Sequence, residues 1–342
     1  MQTISFPATD VHYHFQSSFG KLKELYNTTQ CIIITDEQIN SLYNASFKDH
    51  KVITIPTGES QKNLQTIAAL TDELLSLEAT RHTILIGVGG GVITDITGFL
   101  AATYMRGVKF GLVPTTLLGM VDAAIGGKNG VNTGLHKNII GTITQPSFIL
   151  YDTVFLKTLP IQEWSNGFAE IIKYACIFDK GLFEELEQRD IEYYQNNDNA
   201  LQTLIERCAA WKNKTVLADE KETGERKLLN FGHTAGHAIE KLYALPHGAA
   251  VAIGMIIACM VSQEITGFDA SSIQRLIALL QNYELPVSRV IDTKSVMELL
   301  HTDKKRNITG IDYIVLESIG KGVIKNISFD TIEDALNTYS KG

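Results

Sequence analysis

Cysteine is scarce in this chain. There are four in 342 residues, Cys31, Cys176, Cys208 and Cys259, widely spaced and without a C-x-x-C pair. That pattern excludes a cysteine zinc site and a dithiol redox motif, and a chain of this length needs no disulfide staples. Proline is scarce too, 7 against 27 glycines, and with 44% apolar and 20% charged residues the composition is neither disordered nor collagen-like. Basic excess is missing: 30 Lys and Arg against 38 Asp and Glu leave a net charge of −8. This argues against a nucleic-acid or anionic-membrane partner, while a small anionic substrate stays open, because a local basic cluster can sit inside an acidic protein. No basic segment leads into an apolar one at the N-terminus, so no signal peptide is expected. The longest apolar run, Ala249 to Val261, contains Gly254 and falls short of the roughly 20 residues of a membrane helix. A soluble, cytoplasmic protein is expected.

At roughly 150 residues per domain the length suggests two domains, and the two halves differ in texture. In the first, short apolar runs suit buried parallel strands: Cys31–Thr35, Lys51–Ile55, Thr83–Val88, Lys109–Val113 and Phe148–Tyr151. Helical stretches lie between them, among them Leu64 to Leu77, whose apolar residues share one face. Strand and helix alternating in this way predicts an α/β domain with a Rossmann-like parallel sheet. After Pro160 the pattern predicts helices over 163–174, 182–186, 201–219, 234–244, 247–265, 271–281 and 294–300, with a single β-like run at Tyr313–Leu316. The expected division is therefore 1–157 and 158–342, the second domain being mainly α-helical.

Three features carry chemistry. First, Ile86-Gly87-Val88-Gly89-Gly90-Gly91-Val92-Ile93-Thr94-Asp95 follows a strand and enters a helix. Glycines there let a ligand approach the backbone, and the helix start favours phosphate, although the spacing departs from G-x-G-x-x-G. Polar loops after Pro56 (Gly58 to Lys62) and after the fourth strand (Pro114-Thr115-Thr116) sit at other strand ends, where ligands of open parallel sheets gather. Second, His233, His237 and His247 cluster in sequence. The four-residue step puts His233 and His237 on one helical face, and two imidazoles with a carboxylate form a common catalytic zinc set. Glu170, in an apolar helix where an unpaired charge is costly, is the attractive carboxylate. Spacing favours His233 with His237 but leaves open which two bind, and leaves open that all three cap helices or bond within the core. Third, Gly126 to Asn138, with Lys128 and Lys137, reads as a long polar loop, preceded by Asp122. Loops of that length inside a domain are usually functional, and its lysines suit phosphate or carboxylate.

These segments together resemble the 3-dehydroquinate synthase family of the sugar-phosphate cyclase group. The matching stretches run from Gly58 to Lys305. They include Gly89 to Asp95, Tyr104-Met105-Arg106-Gly107, Val113 to Leu118, Met120-Val121-Asp122, Ile125 to Lys128 and Lys137-Asn138. They continue with Ala169 to Lys173, Leu229 to His233, Gly236 to Glu240, His247-Gly248 and Asp303-Lys304-Lys305. The resemblance implies Glu170, His233 and His247 as ligands of zinc or cobalt, with His237 left to substrate or proton transfer. It implies NAD held by Glu59, Lys62, Gly90, Gly91, Val92, Asp95, Thr115, Thr116, Lys128, Lys137, Phe155 and Thr158, with Asp36 near the adenosine. The implied substrate is an anionic sugar phosphate, 3-deoxy-arabino-heptulosonate 7-phosphate, met by Lys128, Asn138, Lys173, Lys212, Arg226, Asn230, Lys304, Asp122 and an Arg106 from the neighbouring subunit of a homodimer. The implied reaction oxidises a secondary alcohol with NAD, eliminates phosphate, returns the hydride, opens the ring and closes a carbocycle, an early step towards aromatic amino acids. A sibling cyclase and a metal-dependent polyol dehydrogenase are the alternatives. The chain departs from the family pattern at Ala123-Ala124, where Ser-Ser is usual, at Ala249, where Glu is usual after His-Gly, and at Thr94, where Gly is frequent.

Overall fold

A computed structural model of the chain describes residues 1–134, 136–302, 306–307 and 310–341. It divides into two compact units. One comprises Met1–Leu159 with Asp198–Leu217; the other comprises Pro160–Asn197 with Ala218–Gly342. The sequence places the cut at 157/158; here the first unit runs to Leu159 and also takes Asp198–Leu217, nearly all of the helix Asp198–Ala218, which the sequence places in the second domain. Side chains show why. Tyr13 Oη donates to Asn213 Oδ1 at 2.6 Å, Thr153 Oγ1 to Asp198 Oδ1 at 2.7 Å, and the Lys212 ammonium pairs with Asp122 at 2.7 Å. Polar groups of the strand ends thereby find partners that the chain supplies only later.

The first unit is built on a seven-stranded sheet. Its strands are β1 (Gln2–Ser5), β2 (Asp10–His14), β3 (Cys31–Asp36), β4 (Lys51–Ile55), β5 (Ile84–Gly89), β6 (Lys109–Pro114) and, after a separate ribbon of β7 (Lys128–Thr133) and β8 (His136–Ile143), β9 (Phe148–Leu150). The order is β1-β2-β9-β6-β5-β3-β4, antiparallel only between β1 and β2. All five predicted strands are present. β1 and β2 escape the sequence reading because they are short and mix polar with apolar residues. The β3–β9 run has β3 flanked by β4 on one side and β5 on the other, so the order reverses there, and a topological switch point lies between β3 and β5. Ile33, Ile86, Val88, Val113 and Phe148 fill the core. A Cβ on Gly111 would lie 2.1 Å from the Phe148 ring, so glycine there makes room for the aromatic.

Gly126 to Asn138, expected as a loop, is instead largely the ribbon of β7 and β8, paired antiparallel with Gly130 opposite Gly141. A Cβ on Gly141 would lie 2.5 Å from the Asn129 carbonyl oxygen. The strands approach through glycine backbone, and most side chains of β8 are exposed, so no apolar alternation marks them in the sequence.

The second unit is mainly helical, as predicted. Its helices are Ile161–Phe178, Lys180–Leu186, Ile191–Asn196, His233–Tyr243, His247–Thr266, Ala270–Asn282, Thr293–Thr302 and Phe329–Lys341. His247–Thr266 is long and apolar enough to cross a membrane by length and composition, yet most of it is buried within the protein. It lies against His233–Tyr243 through glycines: a Cβ on Gly254 would sit 1.9 Å from the Gly232 carbonyl oxygen, and one on Gly236 would sit 3.0 Å from that of Ala250. A small antiparallel sheet of β10 (Arg306–Asn307), β11 (Gly310–Ser318) and β12 (Lys321–Ile327) completes the unit. β11 contains the one predicted strand. β12 was missed because its side chains are largely exposed or half-buried.

Candidate metal centre and cofactor face

The second unit brings Glu170, His233 and His247 together. One ligand atom from each lies within 4.8 Å of the others. Glu170 Oε1 is 3.3 Å from His233 Nε2 and 3.1 Å from His247 Nε2. Each residue is delivered by a separate helix. Glu170 sits in the buried middle of Ile161–Phe178, and His233 opens its helix after Gly232, whose φ of 77° is costly for other residues. His247 opens the apolar helix after Pro246. The next residue, Gly248, fixes the approach: its N–H donates to Asn166 Oδ1 at 3.1 Å, and a Cβ there would be 2.6 Å from Asn166 Cα.

The far side of each imidazole is also held. His233 Nδ1 donates to the Phe231 carbonyl at 3.0 Å, and His247 Nδ1 donates to Glu240 Oε2 at 3.2 Å. Both acceptors are oxygens, so both Nε2 atoms are turned towards the carboxylate. Burial works to raise the Glu170 pKa, but the Lys173 ammonium and His233 outweigh it and hold the carboxyl well below its usual range. Lys173, buried one turn further on, is ion-paired with Glu170. Burial lowers His233, against the pull of Glu170. Burial also opposes the charge of His247, but its bonds to Glu170 and Glu240 raise it from 6.5 to about 9. Two nitrogens and one carboxylate oxygen, converging and oriented from behind, fit a borderline-soft divalent ion such as zinc or cobalt.

Helical spacing favours His233 with His237. The structure groups His233 with His247 instead: His237 is exposed, its ring centroid 5.2 Å from that of His233 and 6.4 Å from that of His247. Helical periodicity places His237 on the right face, but the third ligand comes from a different helix, which spacing cannot reveal. The residue that sequence reasoning missed is Glu240. It lies seven residues after His233, two turns along the same face, and that periodicity was available as a signal.

Elsewhere in this unit, Arg226 is buried and its guanidinium donates to the Glu220 carbonyl at 2.6 Å. The Asp219 carboxylate accepts the N–H groups of Thr223, Gly224 and Arg226, which fixes the loop that carries the arginine. Asn230 Nδ2 donates to Glu222 at 2.6 Å. Lys304 lies outside the described residues.

In the first unit Asp36, Glu59, Lys62, Gly90, Gly91, Val92, Asp95, Thr115 and Thr116 lie at or just after the carboxyl ends of β3, β4, β5 and β6, while Lys128, Lys137, Phe155 and Thr158 lie elsewhere. Asp36 ends β3 and caps the next helix, accepting from Ile39 N at 2.9 Å. After β4, Glu59 accepts from Asn132 Nδ2 of the ribbon at 2.7 Å, and Asn132 N donates to the Lys62 carbonyl at 2.7 Å. Lys62 is buried and ion-paired with Asp95 of the helix Gly91–Thr103, whose own carboxyl is pushed up by burial against the pull of that lysine. After β5, Gly90 caps this helix, and a Cβ there would be 3.1 Å from Thr116. Val92 lies in its first turn. After β6, Thr115 is buried, and its Oγ1 has no hydrogen-bond partner among the described residues. That hydroxyl, the glycine turn and the helix start suit a phosphate-bearing cofactor. Thr116 Oγ1 accepts from Gly119 N.

Phe155 is buried beneath Tyr43, and Thr158 shares a 2.8 Å hydrogen bond with the Tyr43 hydroxyl. Lys128, Lys137 and Asn138 lie exposed along the ribbon. Asn138 has φ 54° and donates its N–H to Asn132 Oδ1 at 2.9 Å. Lys212 and Asp122 form their ion pair in this unit. Arg106 is exposed on a turn where Met105 (φ 49°), Arg106 (φ 66°) and Gly107 (φ 120°) all take positive values. Two of the departures are accommodated. Thr94 returns its hydroxyl to the Gly91 carbonyl at 3.0 Å, and a Cβ on Gly91 would meet Ala123 at 3.5 Å.

Comparison with known proteins matches residues 52–166 to the 3-dehydroquinate synthase N-terminal family and 167–306 to the 3-dehydroquinate synthase C-terminal family. A 3-dehydroquinate synthase of Pseudoalteromonas atlantica is 39% identical over 324 residues, covering 92% of this chain and 91% of that one. Among solved structures, 2-epi-5-epi-valiolone synthase of Streptomyces hygroscopicus, with NAD+ and Zn2+ bound, superposes with a TM-score of 0.88 at 28% identity, covering 100% and 99% of the two chains. A 2-deoxy-scyllo-inosose synthase complexed with carbaglucose-6-phosphate, NAD+ and Co2+ gives 0.87 at 23% identity over 99% of each chain, which extends the likeness of fold.

Proposed function

The chain belongs to the 3-dehydroquinate synthase family, and from that premise we propose that it converts 3-deoxy-D-arabino-heptulosonate 7-phosphate to 3-dehydroquinate and phosphate, with NAD and zinc or cobalt. The observation that carries the reading is the convergence of Glu170, His233 and His247 in a chain 39% identical to a 3-dehydroquinate synthase over most of its length. When bound, the metal polarises the reacting hydroxyl and NAD accepts and returns a hydride, so the cofactor is not consumed.

The chain's own residues bind and orient. In the second unit, Lys173 is ion-paired with Glu170, and Arg226 presents a planar fork suited to a carboxylate. The loop fixed by Asp219 restricts that fork to one pose. His237 and Asn230 are assigned to substrate or proton transfer there, as is Lys304. In the first unit, Lys62, Asp95, Thr115 and the Gly90-Gly91 turn are assigned to NAD, with Asp36, Glu59, Val92, Thr116, Lys137, Phe155 and Thr158. Lys128, Asn138 and Lys212 with Asp122 are assigned to the anionic substrate. Consecutive left-handed residues at Met105 and Arg106 hold the arginine outward, which supports its donation to a second copy in a homodimer. A cytoplasmic location accords with four free, buried cysteines.

The test follows phosphate release and absorbance at 340 nm in one cuvette, with NAD substoichiometric to the heptulosonate phosphate. Complete phosphate release without net NADH, abolished by a chelator, is expected. Stoichiometric NADH would instead indicate a dehydrogenase. In the same assay Arg226→Ala is expected to lower turnover by about 100-fold or more while NAD binding persists; equal loss of both would remove the arginine from the substrate.

A further inference from the structure

The helix His233–Tyr243 presents His233, His237 and Glu240 at successive turns of one face. The first is a ligand of the candidate metal centre. The last reaches the other imidazole ligand, on a different helix, at 3.2 Å from His247 Nδ1. On its own helix, the position after His247-Gly248 is Ala249, whose methyl offers no acceptor. We propose that Glu240 is the positioning residue of the metal centre: it fixes the ring angle and tautomer of His247 so that Nε2 faces Glu170.

This inference rests on the metal-dependent reading above. A ring tethered only through Cα–Cβ has two free torsions and two neutral tautomers, and one of these points an N–H at the ion. The Glu240 carboxylate accepts only the Nδ1 proton, which leaves the Nε2 lone pair for the metal and makes the ring a better donor. His233 needs no carboxylate, because the Phe231 carbonyl two residues before it does the same work. Glu240 is thus a single side chain of one ligand-bearing helix that tunes the ligand on the next.

The full-length protein, stripped of metal, is titrated with Zn2+ against a chromophoric chelator, and the 15N shifts of His247 are recorded on the metal-free protein above pH 9, where the ring is neutral. Glu240→Ala is expected to weaken zinc binding about 10- to 100-fold and to turn the His247 ring into a mixture of tautomers. Glu240→Gln, whose amide oxygen still accepts the proton, should recover most of both. Thermal melting checks that each variant folds. Should the alanine chain not fold, Glu240→Asp decides instead: it keeps the charge, falls short of the ring and is expected to bind zinc as weakly as alanine would. Zinc affinity within twofold of wild type in Glu240→Ala or Glu240→Asp, with an unchanged tautomer, overturns the proposal. His247→Ala separates the two readings. If it too binds zinc as wild type does, the metal centre itself is misassigned.

Discussion

The two units solve the problem of holding a ligand in opposite ways. In the second, the polar groups belong to buried helix interiors and helix starts, and glycine contacts between helices set their spacing. In the first, they belong to the ends of parallel strands, where backbone N–H groups and short polar loops form the candidate cofactor face. A metal site demands side-chain atoms converging to within a few ångströms, which rigid helices provide. A nucleotide presents an extended surface, which a row of strand ends provides. The metal site is therefore sensitive to the packing around its ligands, and the cofactor face to the loss of individual polar partners.

Gly248→Ala is the sharpest way to break that contrast. The added methyl meets Asn166 backbone at 2.6 Å, so His247 must move although no ligand changes. Zinc affinity is expected to fall by about 100-fold, comparable to losing an orienting partner, with NAD affinity unchanged. Parallel loss of NAD binding, measured by fluorescence quenching, would show that the two sites are not separately built. The reciprocal change is Lys62→Met, which keeps volume and leaves Asp95 without its cation. NAD binding should weaken by about tenfold or more, and zinc titration should be unaffected.

The smallest expected effect is one of pH. His247 in the metal-free protein is raised to about 9 from an unfolded value of 6.5. A raised histidine adds stability that is complete below the unfolded value and is lost as pH climbs through the folded one. The metal-free melting temperature should therefore decline between pH 6.5 and 9 by a few degrees. His14, His50 and His233 are lowered and act only below that window. The decline should be absent in His247→Ala, and a decline that persists there would assign it to another group. Zinc should reverse it, since binding displaces the proton.

Much of this was legible in the sequence. Buried parallel strands are continuous apolar runs, so β3, β4, β5, β6 and β9 stood out, as did the glycine turn and the long helices. The ribbon β7–β8 did not, because its strands pair through glycines and β8 exposes most of its side chains. The metal centre was half legible. His233 and Glu170 stood out from their surroundings, but the choice of His247 over His237 came with the family resemblance and not from spacing. Glu240 shares a helical face with His233 in the sequence, but only the neighbouring helix brings His247 beside it. Lys212 was expected with the helical half, because local pattern identifies a helix without saying what it packs on.

That helix has a consequence for how the protein is made. The buried Tyr13 hydroxyl finds its acceptor in Asn213, 200 residues downstream. At roughly 5–20 residues per second of synthesis, Tyr13 waits on the order of 10–40 seconds for its acceptor to be made. During that interval the whole of Pro160–Asn197 leaves the ribosome first. A fragment ending at Leu159 would carry the entire glycine turn and still lack its closing helix.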